Sequence, residues 1–208
     1  MVTSGAHTLM SGRLNRHARV LLALACLAMV AQAAGRAQVG TGDPLPFSKS
    51  YTITGNYVVR GVDLNPKTAV KGFATGTIQM SGVPAGADVV AAFPYWETIS
   101  TQPSQIAGAQ FRGSALTGAL SATKNLTPAT ASCWSAGGGS RAVYKLTKFR
   151  ADVLQLLPTD AAGRPLANGL HTVRLPEAGT GNQVPQSAGA SLLVVYRDPA
   201  QPLTKIVV

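Results

Sequence analysis

Short apolar runs broken by glycine, proline and polar turn residues dominate the chain, and the richest is Gly82 to Ser100, GVPAGADVVAAFPYWETIS. Gly82, Pro84 and Gly86 punctuate its start, because proline presets φ for a turn and glycine accepts positive φ without a steric penalty. A reversal is expected there. After Asp88, the residues Val89, Ala91, Phe93 and Tyr95 fall on one side of an extended strand and Val90, Ala92, Pro94 and Trp96 on the other. Both sides are apolar, which suits a strand buried on both faces. Pro94 cannot donate to a sheet ladder, so a bulge or an edge position is expected at that residue. The same proline, with the β-branched and aromatic content, argues against a buried helix.

The remaining pattern reads as strands joined by turns. Residues 38–50, with Gly40, Gly42, Pro44 and Pro46, lack apolar periodicity and form an irregular arm. A first strand runs from Tyr51 to Val62 with an interruption at Gly55, and a loop follows at Asp63-Leu64-Asn65-Pro66. Gly76–Ser81 supplies a short strand into the reversal. Weaker strands are expected at Ala109–Leu116 and Gly118–Thr123, a loop at Asn125–Ser140 and a strand at Arg141–Phe149. From Arg150 to Pro158 the period changes, with Asp152 placed to cap backbone N–H groups and Pro158 to stop the turn, so one short helix is expected. Asn168-Gly169 marks a turn before the strand Leu170–Leu175, and Gly179–Gly189 is a glycine-rich loop. Ala190–Arg197 and Leu203–Val208 are expected to close the chain as a hairpin.

These elements predict an all-β chain with one short helix, an antiparallel β-sandwich of jelly-roll or Ig-like type over residues 51–208. The last strand ends at Val208 with no closing turn or polar tail, so the sandwich is expected to be incomplete at its C-terminus.

The N-terminal region changes where this domain should be found. Arg13, Arg16 and Arg19 precede the apolar run Val20–Val30, and the small residues Ala31-Gln32-Ala33-Ala34 follow. Residues 1–37 therefore read as a signal peptide and its cleavage region, with the cut after Ala33 or Ala37. The run is too short to span a bilayer, which takes roughly 20 apolar residues. A secreted, periplasmic or cell-surface location is expected, with no transmembrane segment in the mature chain. Cys26 leaves with the leader and Cys133 remains alone, so no intrachain disulfide forms and the core alone must hold the domain.

A content of 46% hydrophobic and 12% charged residues excludes a mainly disordered chain. The formal charge is +10, and falls to +7 when Arg13, Arg16 and Arg19 are lost with a cut after Ala33. That excess favours contact with anionic cell-envelope polymers or glycans. The basic residues are scattered without aromatic interleaving, unlike a specific nucleic-acid face.

Few residues offer chemistry. His171 is the only histidine of the mature chain, which excludes a multi-histidine metal site, and Cys133 alone cannot make a paired-cysteine zinc site. A Ser/His/Asp triad would need His171, which shares a strand face with Val173 and Leu175 and reads as a core or sheet-surface residue; no Gly-x-Ser-x-Gly elbow occurs. No metal or cofactor is expected. Among the carboxylates Asp63, Asp88, Glu97, Asp152 and Glu177, a hydrolytic pair is conceivable by type, but turn, cap and loop roles account for most. Glu97 beside Trp96 stands out, because a carboxylate next to an aromatic can bind or protonate a sugar; pairing with a strand neighbour is the plainer expectation. Trp134 before Gly137-Gly138-Gly139 could stack on a sugar ring, or plug one end of the sandwich. The candidate ligand-binding residues are Trp96, Glu97 and Trp134, and no catalytic residue is assigned.

Four segments together, TGNYVVRGV (Thr54–Val62), GVPAGADVVAAFPYWETIS, CWSAGGGS with the following FRADV (Phe149–Val153), and GASLLVVYRDPAQPLTKIVV, resemble a family of secreted bacterial and archaeal proteins known only as a domain of unknown function. The resemblance covers most of the chain from about Tyr51 onward. It implies a region that precedes repeated β-sandwich modules in large surface proteins, and it brings no catalytic residues. In that family the last strand runs on into a further turn, which again implies truncation here, and Pro94 departs from its usual non-proline residue. The expected function is a non-enzymatic secreted or cell-surface β-sandwich module with a structural or adhesive role in a larger envelope protein. The alternative is a carbohydrate-binding or glycan-cleaving domain using Trp96, Glu97 and Trp134.

Overall fold

The computed structural model describes residues 45–117, 119–126, 144–180 and 183–208. Ten strands follow in chain order: β1 (Ser50–Asp63), β2 (Phe73–Met80), β3 (Asp88–Ser100), β4 (Gln110–Phe111), β5 (Ser114–Ala115), β6 (Leu120–Asn125), β7 (Lys145–Arg150), β8 (Gly169–Pro176), β9 (Gly189–Arg197) and β10 (Leu203–Val207). They form two antiparallel sheets, one ordered β10-β1-β9-β3-β7-β6 and the other β2-β8-β4-β5. The fold is an all-β sandwich, as the alternation of short apolar runs and turn residues predicts.

The main core lies between the sheets. Ile78, Met80, Phe111, Val173 and Leu175 of the smaller sheet belong to one buried cluster with Ala92, Trp96, Phe149, Leu192 and Val194 of the larger. β3 is the centre of the larger sheet, between β9 and β7, and is apolar on both faces as expected. A second buried cluster, Ala91, Phe93, Val195 and Ile206, lies on its other face.

The irregularity of β3 is at Val90, not at Pro94: the pairing with β9 slips between Val89 and Ala91. That bulge turns Val89 and Ala92 to the same core while Ala91 joins the opposite cluster. Pro94 is accommodated in an interior strand because its carbonyl, accepting from Ala151 N–H at 3.3 Å, shows which edge its ring nitrogen faces. That edge is the β7 side, just past the last β3–β7 pair, Tyr95–Arg150, so the ladder with β9 is spared and only the reciprocal of the Ala151 bond is lost.

The second cluster exists because β1 changes partner. Its first five residues pair with β10, its last nine with β9, and the switch falls at Gly55. Gly55 thus marks a partner change within one continuous strand. The expected terminal hairpin does not form, since β1 lies between β9 and β10. After β9, Asp198 N–H bonds Thr54 O at 3.0 Å and Gly55 N–H bonds Pro202 O at 3.3 Å, so the chain steps over β1 there. A Cβ on Gly55 would collide with the Tyr196 carbonyl oxygen, which is why only glycine fits the crossing. Tyr51 and Ile53 from the start of β1, with Ile206 and Val208, pack against Ala91, Phe93 and Val195. The β1–β10 ribbon therefore lies across the outer face of the central sheet.

Two further expectations are corrected. Ala109–Leu116 is not one strand but the β4–β5 hairpin, turned by Arg112 (φ 51) and Gly113 (φ 81). Lys71 and Gly72 make a matching turn before β2, and both carry the two successive positive φ angles of a type I′ hairpin loop. Arg150–Pro158 holds only a 3-10 turn, Leu154–Leu156. Asp152 Oδ1 does accept from Leu154 N–H at 3.0 Å. The Ala151 and Val153 N–H groups, however, bond the Pro94 and Ala92 carbonyls of β3, which keeps the backbone extended.

Candidate functional site

On the outer face of the central sheet, above the ribbon, the strand register sets out two rows of residues. Gly61, Ser191, Tyr95 and Arg150 stand level across β1, β9, β3 and β7. Two residues further along, Asp63 pairs with Gly189 and Glu97 with Lys148, and Glu97 is one step past the Trp96–Ala190 pair. Because directly opposed residues share a face, these side chains point away from the main core. A cleft of about 610 Å³ opens there, lined by Leu45, Gly61, Asp63, Tyr95, Glu97, Lys148, Ala188, Gly189 and Ser191, and the intervening core-facing residues Val62, Trp96, Phe149 and Ala190 also border it.

The floor is open because glycine supplies it. Gly189 lies between Asp63 and Glu97, and a Cβ there would come within 2.5 Å of the Val62 carbonyl oxygen. Adjacent strands are about 4.8 Å apart, so the two carboxylates rise from backbones roughly 10 Å apart with no side chain between them. Lys148 Nζ is 3.7 Å from Glu97 Oε1, the cross-strand pairing expected of Glu97, and both groups remain partly exposed. Leu45 arrives from the arm, residues 45–49, which Arg150 holds by donating from Nη2 to Pro46 O at 3.2 Å. Below the cleft, burial raises the pKa of Tyr51, with Asp152 and Tyr95 adding to the rise and Arg150 opposing it.

Trp96 is adjacent in sequence but turns inward. Its residue is 4% exposed and its ring stacks on Phe149 with centroids 4.9 Å apart and planes 9° from parallel, so the ring belongs to the core, although the residue still borders the cleft beside Glu97. Its indole nitrogen has no hydrogen-bond partner. Glu97 does line the open cleft. Trp134 lies outside the described residues. Tyr95 shares the face of Glu97 by strand alternation, whereas Asp63 and Gly189 join them only through the β1–β9–β3 register, a long-range pairing that no local pattern of the sequence announces.

The other ionisable candidates have structural partners. Asp88 faces Arg197 at 3.4 Å on the surface. Glu177 is buried and accepts from Gly179 N–H at 3.1 Å and Ser187 N–H at 3.0 Å, tying down the following loop. His171 is wholly buried, stacks on Phe111 and bonds Ala167 O through Nε2 at 2.7 Å, as a core histidine should. Burial lowers its pKa, against a smaller opposing effect of that bond. Among the described residues no three His, Cys, Asp or Glu side chains are grouped to hold a metal, and no helix is long and apolar enough to cross a membrane.

No family model, curated protein or solved structure matches this chain.

Proposed function

We propose that the chain is a non-enzymatic secreted or cell-surface β-sandwich module with a structural or adhesive role in the cell envelope. The observation that supports this reading is the cleft on the outer face of the central sheet. It is an open, shallow binding geometry whose floor and two carboxylate sides are set by paired strands, and such preorganisation suits attachment. The leader-like N-terminus and the motif resemblance to secreted surface proteins point the same way. Glycan recognition is a second reading, favoured by Glu97 lining the cleft with Trp96 bordering it through a ring stacked in the core.

The test is to express the full chain in a bacterial host and measure intact mass and fraction. The expected product is exported and shortened by residues 1–33 or 1–37, and it sediments with isolated cell envelopes. A full-length product retained in the cytosol, or an exported one that ignores envelopes, overturns the proposal.

A further inference from the structure

We infer that the outer-face cleft binds an uncharged glycan chain, one sugar ring resting over Gly189 between Asp63 and Glu97. This rests on the adhesive reading above and names its ligand class. A pyranose ring presents hydroxyls around its rim and C–H groups on its faces, so a site for it needs acceptors on either side and an apolar or backbone surface beneath. The cleft has that arrangement. Asp63 and Glu97 stand on either side of Gly189, Ser191 adds a hydroxyl in the neighbouring row, and Tyr95 and Leu45 supply apolar wall. Carboxylates accept hydrogen bonds from sugar hydroxyls with charge assistance, which makes each such bond stronger than a neutral one.

The charge decides between glycan classes. Among the lining residues Asp63 and Glu97 outnumber Lys148, which is already engaged with Glu97, and Arg150 of the neighbouring row is buried and turned to Pro46 outside the lining, so the cleft lining is net negative although the chain as a whole is basic. A polyanion is repelled from this slot, and a neutral polysaccharide is not. The basic excess elsewhere can still draw the protein to an anionic envelope through screened, non-specific attraction. The two contacts differ in salt response: envelope association weakens as salt rises, whereas hydrogen bonding in the cleft changes little.

The experiment is calorimetric titration of the full chain with three soluble neutral polysaccharides, a β-glucan, a mannan and a xylan, and with alginate as the polyanion, at low and high salt. Saturable binding of at least one neutral chain is expected, retained at high salt. Asp63→Asn with Glu97→Gln should weaken it tenfold or more, and Ser191→Trp, which fills the slot from an outward position, should abolish it. Urea midpoints of the variants check that folding is preserved. Binding of alginate alone, binding of none of the neutral chains, or unchanged binding by a folded Ser191→Trp variant overturns the inference. In each of those cases export and envelope sedimentation remain a separate readout, so the adhesive reading can stand while this one falls.

Discussion

At the scale of single residues, neighbours in sequence take opposite roles because a strand sends them to opposite faces. Trp96→Ala should cost about 3–5 kcal/mol, since it empties the space beside Phe149. Glu97→Gln, removing one half of a partly exposed ion pair, should change stability by less than about 1 kcal/mol. Urea unfolding of the two variants checks the contrast. His171 gives a pH dependence of known sign. Its folded pKa lies below the ordinary value of 6.5, so below that pH the unfolded chain binds a proton that the folded one refuses. The His171 contribution is therefore constant above about pH 6.5 and is lost progressively below it. His171→Leu should flatten this part of the fall in the urea midpoint between pH 7 and 5, although its lower midpoint at pH 7 would reflect lost contact with Phe111 and Ala167.

At the scale of elements, strand existence was legible in the sequence and strand pairing was not. The apolar runs mark β1, β3, β8, β9 and β10 to within a residue or two, because alternation and turn chemistry act locally. The hairpin expected of β9 and β10 fails for a non-local reason: the Asp198–Pro202 turn bonds to Thr54 and Gly55, far away in sequence, and β1 takes the place between them. The β4–β5 turn was missed because Arg112 holds a positive φ that a non-glycine residue rarely adopts. Lys71→Asn, substituting a residue that tolerates the same conformation, should stabilise the fold by a few tenths of a kcal/mol in thermal unfolding. Gly55→Ala should do the reverse. Its added methyl meets the Tyr196 carbonyl, and amide exchange in β10 should quicken by far more than exchange in β8, where the smaller sheet is untouched.

At the scale of the whole molecule, the candidate site shows what a linear reading can and cannot supply. Glu97 was identifiable by its aromatic neighbourhood. Asp63 and Gly189, more than a hundred residues apart, meet through one pairing of β1 with β9, and Tyr95 was hidden among the apolar residues of β3. The molecule is also layered more deeply than two sheets, because the β1–β10 ribbon buries a second cluster on the back of the first. The two members of that ribbon close on each other at its end, where Lys49 and Val208 exchange reciprocal backbone bonds of 3.2 and 2.9 Å. A pulling force applied between those two residues would act like a zipper rather than a shear joint, breaking the ribbon one rung at a time from the Lys49–Val208 end. A module that tethers a cell under load would then yield first in its outermost layer, lengthening at low force while the central sheet stays intact.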